Sequence, residues 1–206
     1  MLRTRIGFGA IAAFLVGCTA DKPMPTAFEV RVPLFAVGGN SAFNLGTHMT
    51  GPEEVFTPTP PSTATPADSK GQGQAIFRVS GDGSTVDFRL IASNIDNVIM
   101  SHIHCGRPGE NGPIRMWLYP NIGPSGAQGP NGSGPHDGVL ASGTFSPGAV
   151  MCPASAVGRD MPLLEAMRAG LTYVNVHTND GVAPTNTGPG DFPGGEIRGQ
   201  LDQDNH

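Results

Sequence analysis

The chain is 206 residues long and carries a formal net charge of −5, and glycine and proline (30 and 20 residues) make up about a quarter of it. Only 14% of the residues are charged and 6% are aromatic, while 38% are hydrophobic. Such a composition is typical of a turn-rich β protein, because glycine and proline interrupt regular elements. It excludes a coiled coil, a helical repeat and a multi-span membrane protein, since no sustained helical periodicity or long apolar run follows the N-terminus.

The first eighteen residues have the layout of a secretory signal. Arg3 and Arg5 precede an uncharged run over residues 6–17, which is too short to span a membrane stably. The sequence LVGC at residues 15–18 resembles a bacterial lipobox, in which the cysteine receives a lipid and the chain is cut before it. We therefore expect a signal peptide over residues 1–17 and a lipidated Cys18; the alternative is an ordinary signal that is cleaved elsewhere.

Residues 18–41 contain three prolines and little alternation, so they predict a tether with one candidate edge strand at residues 28–32. Thr19 directly follows Cys18. Lipoproteins that stay at the inner membrane usually carry an aspartate at this position, so Thr19 favours the outer membrane in a cell with two membranes. Cleavage leaves the chain two charges more negative, with no basic stripe. We expect attachment to the cell envelope by lipid, and no nucleic-acid partner.

Short alternating segments follow one another through the rest of the chain. Two of them form a predicted hairpin around the turn at residues 80–83, with Phe77 and Phe88 on the buried face. Eight or so short strands separated by glycine and proline turns predict an all-β fold, an antiparallel β-sandwich with long Gly/Pro-rich loops. The predicted strands lie at residues 43–49, 75–79, 86–90, 97–104, 114–119, 139–145, 171–178 and 196–201.

One short helix is predicted at residues 160–170. Asp160 is a candidate N-cap, Pro162 suits the first turn and Gly170 suits the end. Between the strands, residues 120–138 hold hardly an apolar side chain, so they are either a mobile or binding loop or a tolerated insertion.

Three motifs then stand in order along the chain: HIHCG with GENGP at residues 102–113, YVNVHT at residues 173–178, and GEIRGQL at residues 195–201. Together they resemble a CHRD domain, a module named from chordin, over residues 42–203. The resemblance implies an immunoglobulin-like β-sandwich that is distantly similar to copper/zinc superoxide dismutase, and it implies no particular reaction. The loop at residues 179–194 is longer than the usual compact pattern.

The histidines are the candidate functional residues. Residues two apart in a strand share a face, so His102 and His104 project together, and His177 projects with Asn175 on its own strand. Three convergent imidazoles predict a mononuclear copper or zinc site. A dinuclear site of the dismutase type would need a second set of histidine and aspartate ligands, but residues 105–135 contain neither residue. The alternative is a hydrogen-bonded polar cluster, supported by Asn175, Glu196 and Arg198.

Cys105 and Cys152 remain as an even pair in an exported chain, which predicts a disulfide; two buried free thiols are the alternative. No nucleophile elbow or phosphate loop is present, so the chain is more readily a non-enzymatic module than an enzyme. Three interpretations of the function stay open. They are a lipid-anchored module that binds an extracellular protein or glycan, a mononuclear metal protein with one-electron chemistry, and a structural envelope module.

Overall fold

The computed structural model describes residues 42–202, in which ten strands and two short helices form. The predicted signal peptide, Cys18 and the tether with its edge strand lie outside the described residues. Two 3-10 turns occur at Gly51–Glu53 and Pro66–Asp68. The elements are β1 (Phe43–Thr50), β2 (Gln72–Val79), β3 (Val86–Asp96), β4 (Val98–Cys105), β5 (Ile114–Tyr119), β6 (Pro135–Phe145), β7 (Met151–Cys152), α1 (Ala154–Val157), β8 (Met161–Pro162), α2 (Leu163–Arg168), β9 (Thr172–Thr178) and β10 (Ile197–Gln200).

Within this range, eight strands form one antiparallel sheet in the order β5-β4-β9-β10-β1-β2-β3-β6. The sheet curls until its edge strands β5 and β6 approach each other, which gives a nearly closed, sandwich-like body. The remaining two strands, β7 and β8, form a small separate ribbon. The all-β antiparallel prediction is confirmed.

The core lies inside the curled sheet, and strand alternation determines which side chains reach it. In the hairpin of β2 and β3, Phe77 is paired with Phe88, and both are buried. Their rings pack at 6.3 Å, and Phe145 of β6 packs against both. Outward positions such as Arg78 and Asp87 are exposed, so this hairpin has the single buried face that its sequence predicts.

Strands β4 and β9 are different because they are buried on both faces. Ile103, Val174 and Val176 face the core, whereas the alternate positions His102 and His177 face outward and are still buried. The outer face of the sheet is covered here by the loops around residues 106–112, 120–134 and 186–195. Polar side chains are therefore enclosed on a face that would otherwise contact water.

The helical segment differs from its prediction. The structure has two short helices, and the second, α2, begins at Leu163 rather than at residue 160. The Asp160 carboxylate accepts a hydrogen bond from the backbone N–H of Ala154, at 2.7 Å, so it serves the start of α1. Residues 161–162 pair as β8 with β7 before the helix begins, whereas Gly170 ends it with φ of +68°, as predicted.

The predicted loop at residues 120–138 is shorter than expected, because β6 begins at Pro135. A backbone bridge between Gly123 and Trp117 ties its first half to β5. In the described part of the chain, no helix is long and apolar enough to cross a membrane.

Candidate metal centre

Three imidazoles meet on the covered outer face of β4 and β9. The antiparallel register places His102 opposite Asn175 and Met100 opposite His177, so these side chains share one face with His104. The side chains of His102, His104 and His177 are 0%, 7% and 5% exposed. One ligand atom from each of them lies within 4.8 Å of the other two. The predicted convergence of the three histidines is therefore confirmed.

A backbone carbonyl fixes the tautomer of His104, and another lies beside His177. His104 Nδ1 lies 2.8 Å from the oxygen of Gly112, and His177 Nδ1 lies 2.9 Å from the oxygen of Pro193. A carbonyl only accepts hydrogen bonds, so Nδ1 of His104 carries the proton and its Nε2 presents a lone pair. This arrangement is the one in which a metal-binding histidine donates its other N–H to a carbonyl. His177 has an acceptor oxygen beside each ring nitrogen, Pro193 O at Nδ1 and the Asn175 amide oxygen at Nε2, and a neutral ring donates to one of them.

The nitrogens that remain point into the cluster. His102 Nδ1 lies 3.2 Å from His177 Nε2, and the amide oxygen of Asn175 lies 2.9 Å from the same His177 atom. No group among residues 42–202 forms a hydrogen bond with Nε2 of His102 or of His104, although both atoms are buried. A buried ring nitrogen without a hydrogen-bond partner lowers the free energy of unfolding by about 1–3 kcal/mol for each atom.

Burial keeps all three rings neutral. It lowers the pKa of His102 to about 2, helped by the neighbouring charges that His177 and His104 would carry. Burial also lowers the pKa of His104 to about 4, against the hydrogen bond to Gly112, and that of His177 to about 4, against the hydrogen bond to Pro193. At neutral pH the three imidazoles are thus in the unprotonated state that metal ligation requires.

Two aromatic side chains enclose the imidazoles. Trp117 of β5 contacts His102 edge to face, with ring centroids 4.1 Å apart. Tyr173 of β9 stacks on His104 at 4.7 Å, and the guanidinium carbon of Arg198 lies 3.5 Å from the Tyr173 ring centroid. The site is therefore a layered stack of cation, phenol ring and imidazole on one side, with an indole on the other.

The family comparison identifies the domain. The model of the CHRD domain family matches residues 45–201. The chain belongs to the CHRD domain family. No match was found among curated proteins, and none among solved structures. A metal site in this CHRD domain is therefore inferred from the geometry of its own residues.

Arg198 holds the loop that carries the Gly112 carbonyl. Its guanidinium, 2% exposed, donates to the Asn111 side chain at 3.1 Å and to the Glu110 carbonyl at 2.9 Å. Its charge also contributes to the lowered pKa of His104. In this CHRD domain, Arg198 thus supports the candidate site through the loop and through its electrostatic effect.

Glu196 lies in a different environment from the imidazoles. The carboxylate is fully buried and accepts hydrogen bonds from the hydroxyls of Ser69 and Thr178, at 2.5 and 2.6 Å, and from the backbone of Gly190 at 2.8 Å. These bonds join two loops to the end of β9. The hydrogen bonds of Glu196 therefore stabilise the loops that cover the CHRD domain.

Cys105 and Cys152 form a disulfide, with Cα atoms 5.6 Å apart. The prediction of a bonded pair is confirmed, and the free-thiol alternative is wrong. Cys105 directly follows His104 and packs into the core on the opposite face. The bond thus joins the end of the histidine strand to the β7–β8 ribbon of the CHRD domain.

Sequence reasoning did not find two residues of the site. Trp117 lies opposite His102 across β4 and β5, and this register includes irregularities that periodicity does not show. Glu54 follows a 3-10 turn, and its carboxylate lies 3.5 Å from the Asn175 amide nitrogen. Burial raises the pKa of Glu54 to about 7, against the lowering effect of Arg198.

The loop at residues 120–134 covers the indole closely, which gives a testable prediction. A Cβ at residue 126 would lie 2.7 Å from Trp117 Cδ2, so Gly126→Ala is expected to displace the ring and lower the free energy of unfolding by about 1–3 kcal/mol. Trp117 is the single tryptophan of the chain, so its fluorescence emission should shift to the red. Gly188→Ala adds a Cβ in open space and is the control. Unchanged emission in Gly126→Ala would contradict the close contact.

Proposed function

We propose that this CHRD domain binds a single copper or zinc ion through His102, His104 and His177. One observation carries the proposal: three buried imidazoles converge, and the Gly112 carbonyl holds the Nδ1 proton of His104, so its unprotonated Nε2 is left for an ion. Imidazole nitrogen is a donor that suits both metals.

The spacing of the nitrogens fits a metal site. Two nitrogens bound to a tetrahedral ion at about 2.0–2.1 Å are about 3.3 Å apart. His102 Nδ1 and His177 Nε2 are 3.2 Å apart. A purely polar cluster leaves His104 Nε2 without a hydrogen-bond partner, whereas an ion accepts its lone pair.

The environment of the site also fits a bound ion. The Asn175 amide oxygen, 2.9 Å from His177 Nε2, is an additional oxygen donor beside the three nitrogens. Copper would supply one-electron chemistry here, and zinc would supply a Lewis acid or a structural link between β4 and β9. The residues themselves orient the imidazoles, exclude water and keep the rings neutral.

Metal content of the purified, tag-free protein tests the proposal. We expect about one copper or zinc ion per chain by elemental analysis after reconstitution, and a loss of that ion in His104→Gln. His48→Gln is the matched control, because His48 is exposed on β1, outside the convergent group. Wild-type protein that retains neither metal after dialysis, while circular dichroism shows it folded, would overturn the proposal.

We further propose that the domain is displayed on the outside of the cytoplasmic compartment, anchored to the membrane through Cys18. The signal-like run over residues 1–17 and the lipobox-like LVGC sequence support this anchor. Lipidation by several acyl chains gives stable attachment. The disulfide is also consistent with an oxidising compartment.

Intact-mass spectrometry of protein extracted from membranes checks the anchor. We expect the chain to begin at Cys18 and to carry the added mass of a diacylglycerol group. The Cys18→Ser variant is expected to lose the lipid and to remain uncleaved at this position. A different N-terminus, or an unmodified Cys18, would contradict the prediction.

A further inference from the structure

We infer that this site selects copper in its monovalent state, Cu(I), over Cu(II) and Zn(II), and that the positive charge of Arg198 enforces the preference. The inference rests on the proposed metal site, and it names the ion and its charge. Three observations carry it: the charge of the ligands, the position of Arg198, and two soft side chains on the same face of the sheet as the imidazoles.

The converging ligands carry no negative charge. Within residues 42–202, the group of metal-ligating side chains that converges is made of three histidines, without a carboxylate or a thiolate. All three side chains are buried. Because the free energy needed to bury an ion grows with the square of its charge, a divalent ion without a charged ligand is disfavoured much more strongly than a monovalent one.

A fixed positive charge adds to this penalty. Arg198 is buried and stacks on Tyr173, which in turn stacks on His104. The guanidinium therefore lies one aromatic ring away from His104. Its repulsion acts twice as strongly on a divalent ion as on a monovalent ion at this position.

The carboxylate of Glu54 opposes this effect. It contacts the Asn175 amide rather than an imidazole, and Glu53 is exposed. Neither carboxylate belongs to the convergent group, so neither is a ligand that would neutralise a divalent ion.

Two soft side chains lie on the same face of the sheet as the imidazoles. The register pairs Met100 directly with His177, which brings a thioether to the same face of the sheet. The polarisable indole of Trp117 contacts His102 at 4.1 Å. Thioether sulfur is a soft ligand that suits Cu(I) better than Cu(II).

Anaerobic competition with a chromophoric Cu(I) chelator, alongside titrations with Cu(II) and Zn(II), measures the preference at one pH. We expect Cu(I) to bind at least 100-fold more tightly than Zn(II). In Arg198→Gln, the ratio of Cu(I) to Cu(II) affinity should fall about tenfold, which equals about 59 mV for a one-electron couple. Arg198→Lys also replaces the planar guanidinium but keeps the positive charge, so its ratio should stay close to the wild-type value.

Two further variants decide the matter if the Arg198 variants do not fold. Glu54→Gln removes the opposing charge and should increase the Cu(I) preference, while Met100→Leu keeps the volume and should weaken Cu(I) binding alone. Equal or tighter binding of Zn(II) or Cu(II), or identical ratios in the glutamine and lysine variants, would overturn the inference while the proposed metal site remains. Absence of binding for all three ions would instead overturn the proposed function itself.

Discussion

Between pH 6.5 and 4.5, the free energy of unfolding of the metal-free protein is expected to fall by about 2 kcal/mol for each pH unit. In the unfolded chain, His102, His104 and His177 bind protons below pH 6.5, whereas in the folded protein their pKa values lie at about 2 to 4. The unfolded state therefore binds more protons, and stability decreases as the pH falls.

Glu54 opposes this effect in the same window. Its folded pKa is raised to about 7, so the folded protein binds a proton that the unfolded chain does not bind above pH 4.5. That proton adds stability as the pH falls. Three histidines minus one glutamate leave a net difference of at most two protons, and of about 1.5 protons on average, because the unfolded histidines are only half protonated at pH 6.5. At about 1.4 kcal/mol per proton and pH unit, this average gives the slope of about 2 kcal/mol.

Urea unfolding at several pH values between 7 and 4.5 measures this slope. His104→Gln removes one titrating ring, so the slope should become shallower by about 1 kcal/mol per pH unit. His48→Gln, on the exposed face of β1, should leave the slope as it is. A stability that is independent of pH, or equal slopes in all three proteins, would show that the imidazoles are not held neutral in the fold.

Loss of the disulfide is expected to lower the free energy of unfolding by about 4 kcal/mol, because Cys105 and Cys152 are separated by 47 residues and close a long loop. Reduction should also loosen the end of β4, since Cys105 directly follows His104. We therefore expect weaker metal binding in the reduced protein as well as lower stability.

Urea unfolding with and without reductant measures the effect of the disulfide. The double variant Cys105→Ala/Cys152→Ala is the control, because reductant should not change it further. Its stability should be no higher than that of the reduced wild type, since both side chains are fully buried and their truncation also loses packing. Wild-type protein that keeps its full stability with both thiols alkylated would contradict the prediction.

Local patterns were sufficient for most of the strands. Alternation over two residues predicted the faces of β2 and β3, because one side of that hairpin contacts the core and the other contacts water. The helix was predicted less well, since Asp160 was interpreted as the cap of the segment that follows, although it caps α1, which precedes it. A side chain that reaches backwards to an earlier element leaves no local signal in the sequence.

The prediction of a loop that binds an extracellular protein or glycan stays a prediction. In the structure, the first part of that loop packs on Trp117 through Gly126, and its backbone pairs with β5 at Gly123. These contacts give the loop a role as a cover for the candidate site. Its low content of apolar residues had indicated only exposure, because backbone pairing and glycine contacts do not depend on hydrophobic side chains.

The sequence by itself determined the family, the antiparallel class, the pairing of the two remaining cysteines and the common face of His102 and His104. Each of these depends on motif identity, residue counts or a two-residue period. The tertiary structure decided that His177 joins that pair, that the carbonyls of Gly112 and Pro193 lie beside Nδ1 of His104 and His177, and that Arg198 stacks on Tyr173 beside His104. Those contacts join segments that are far apart in the chain, so they depend on strand register and loop packing, which no local pattern encodes.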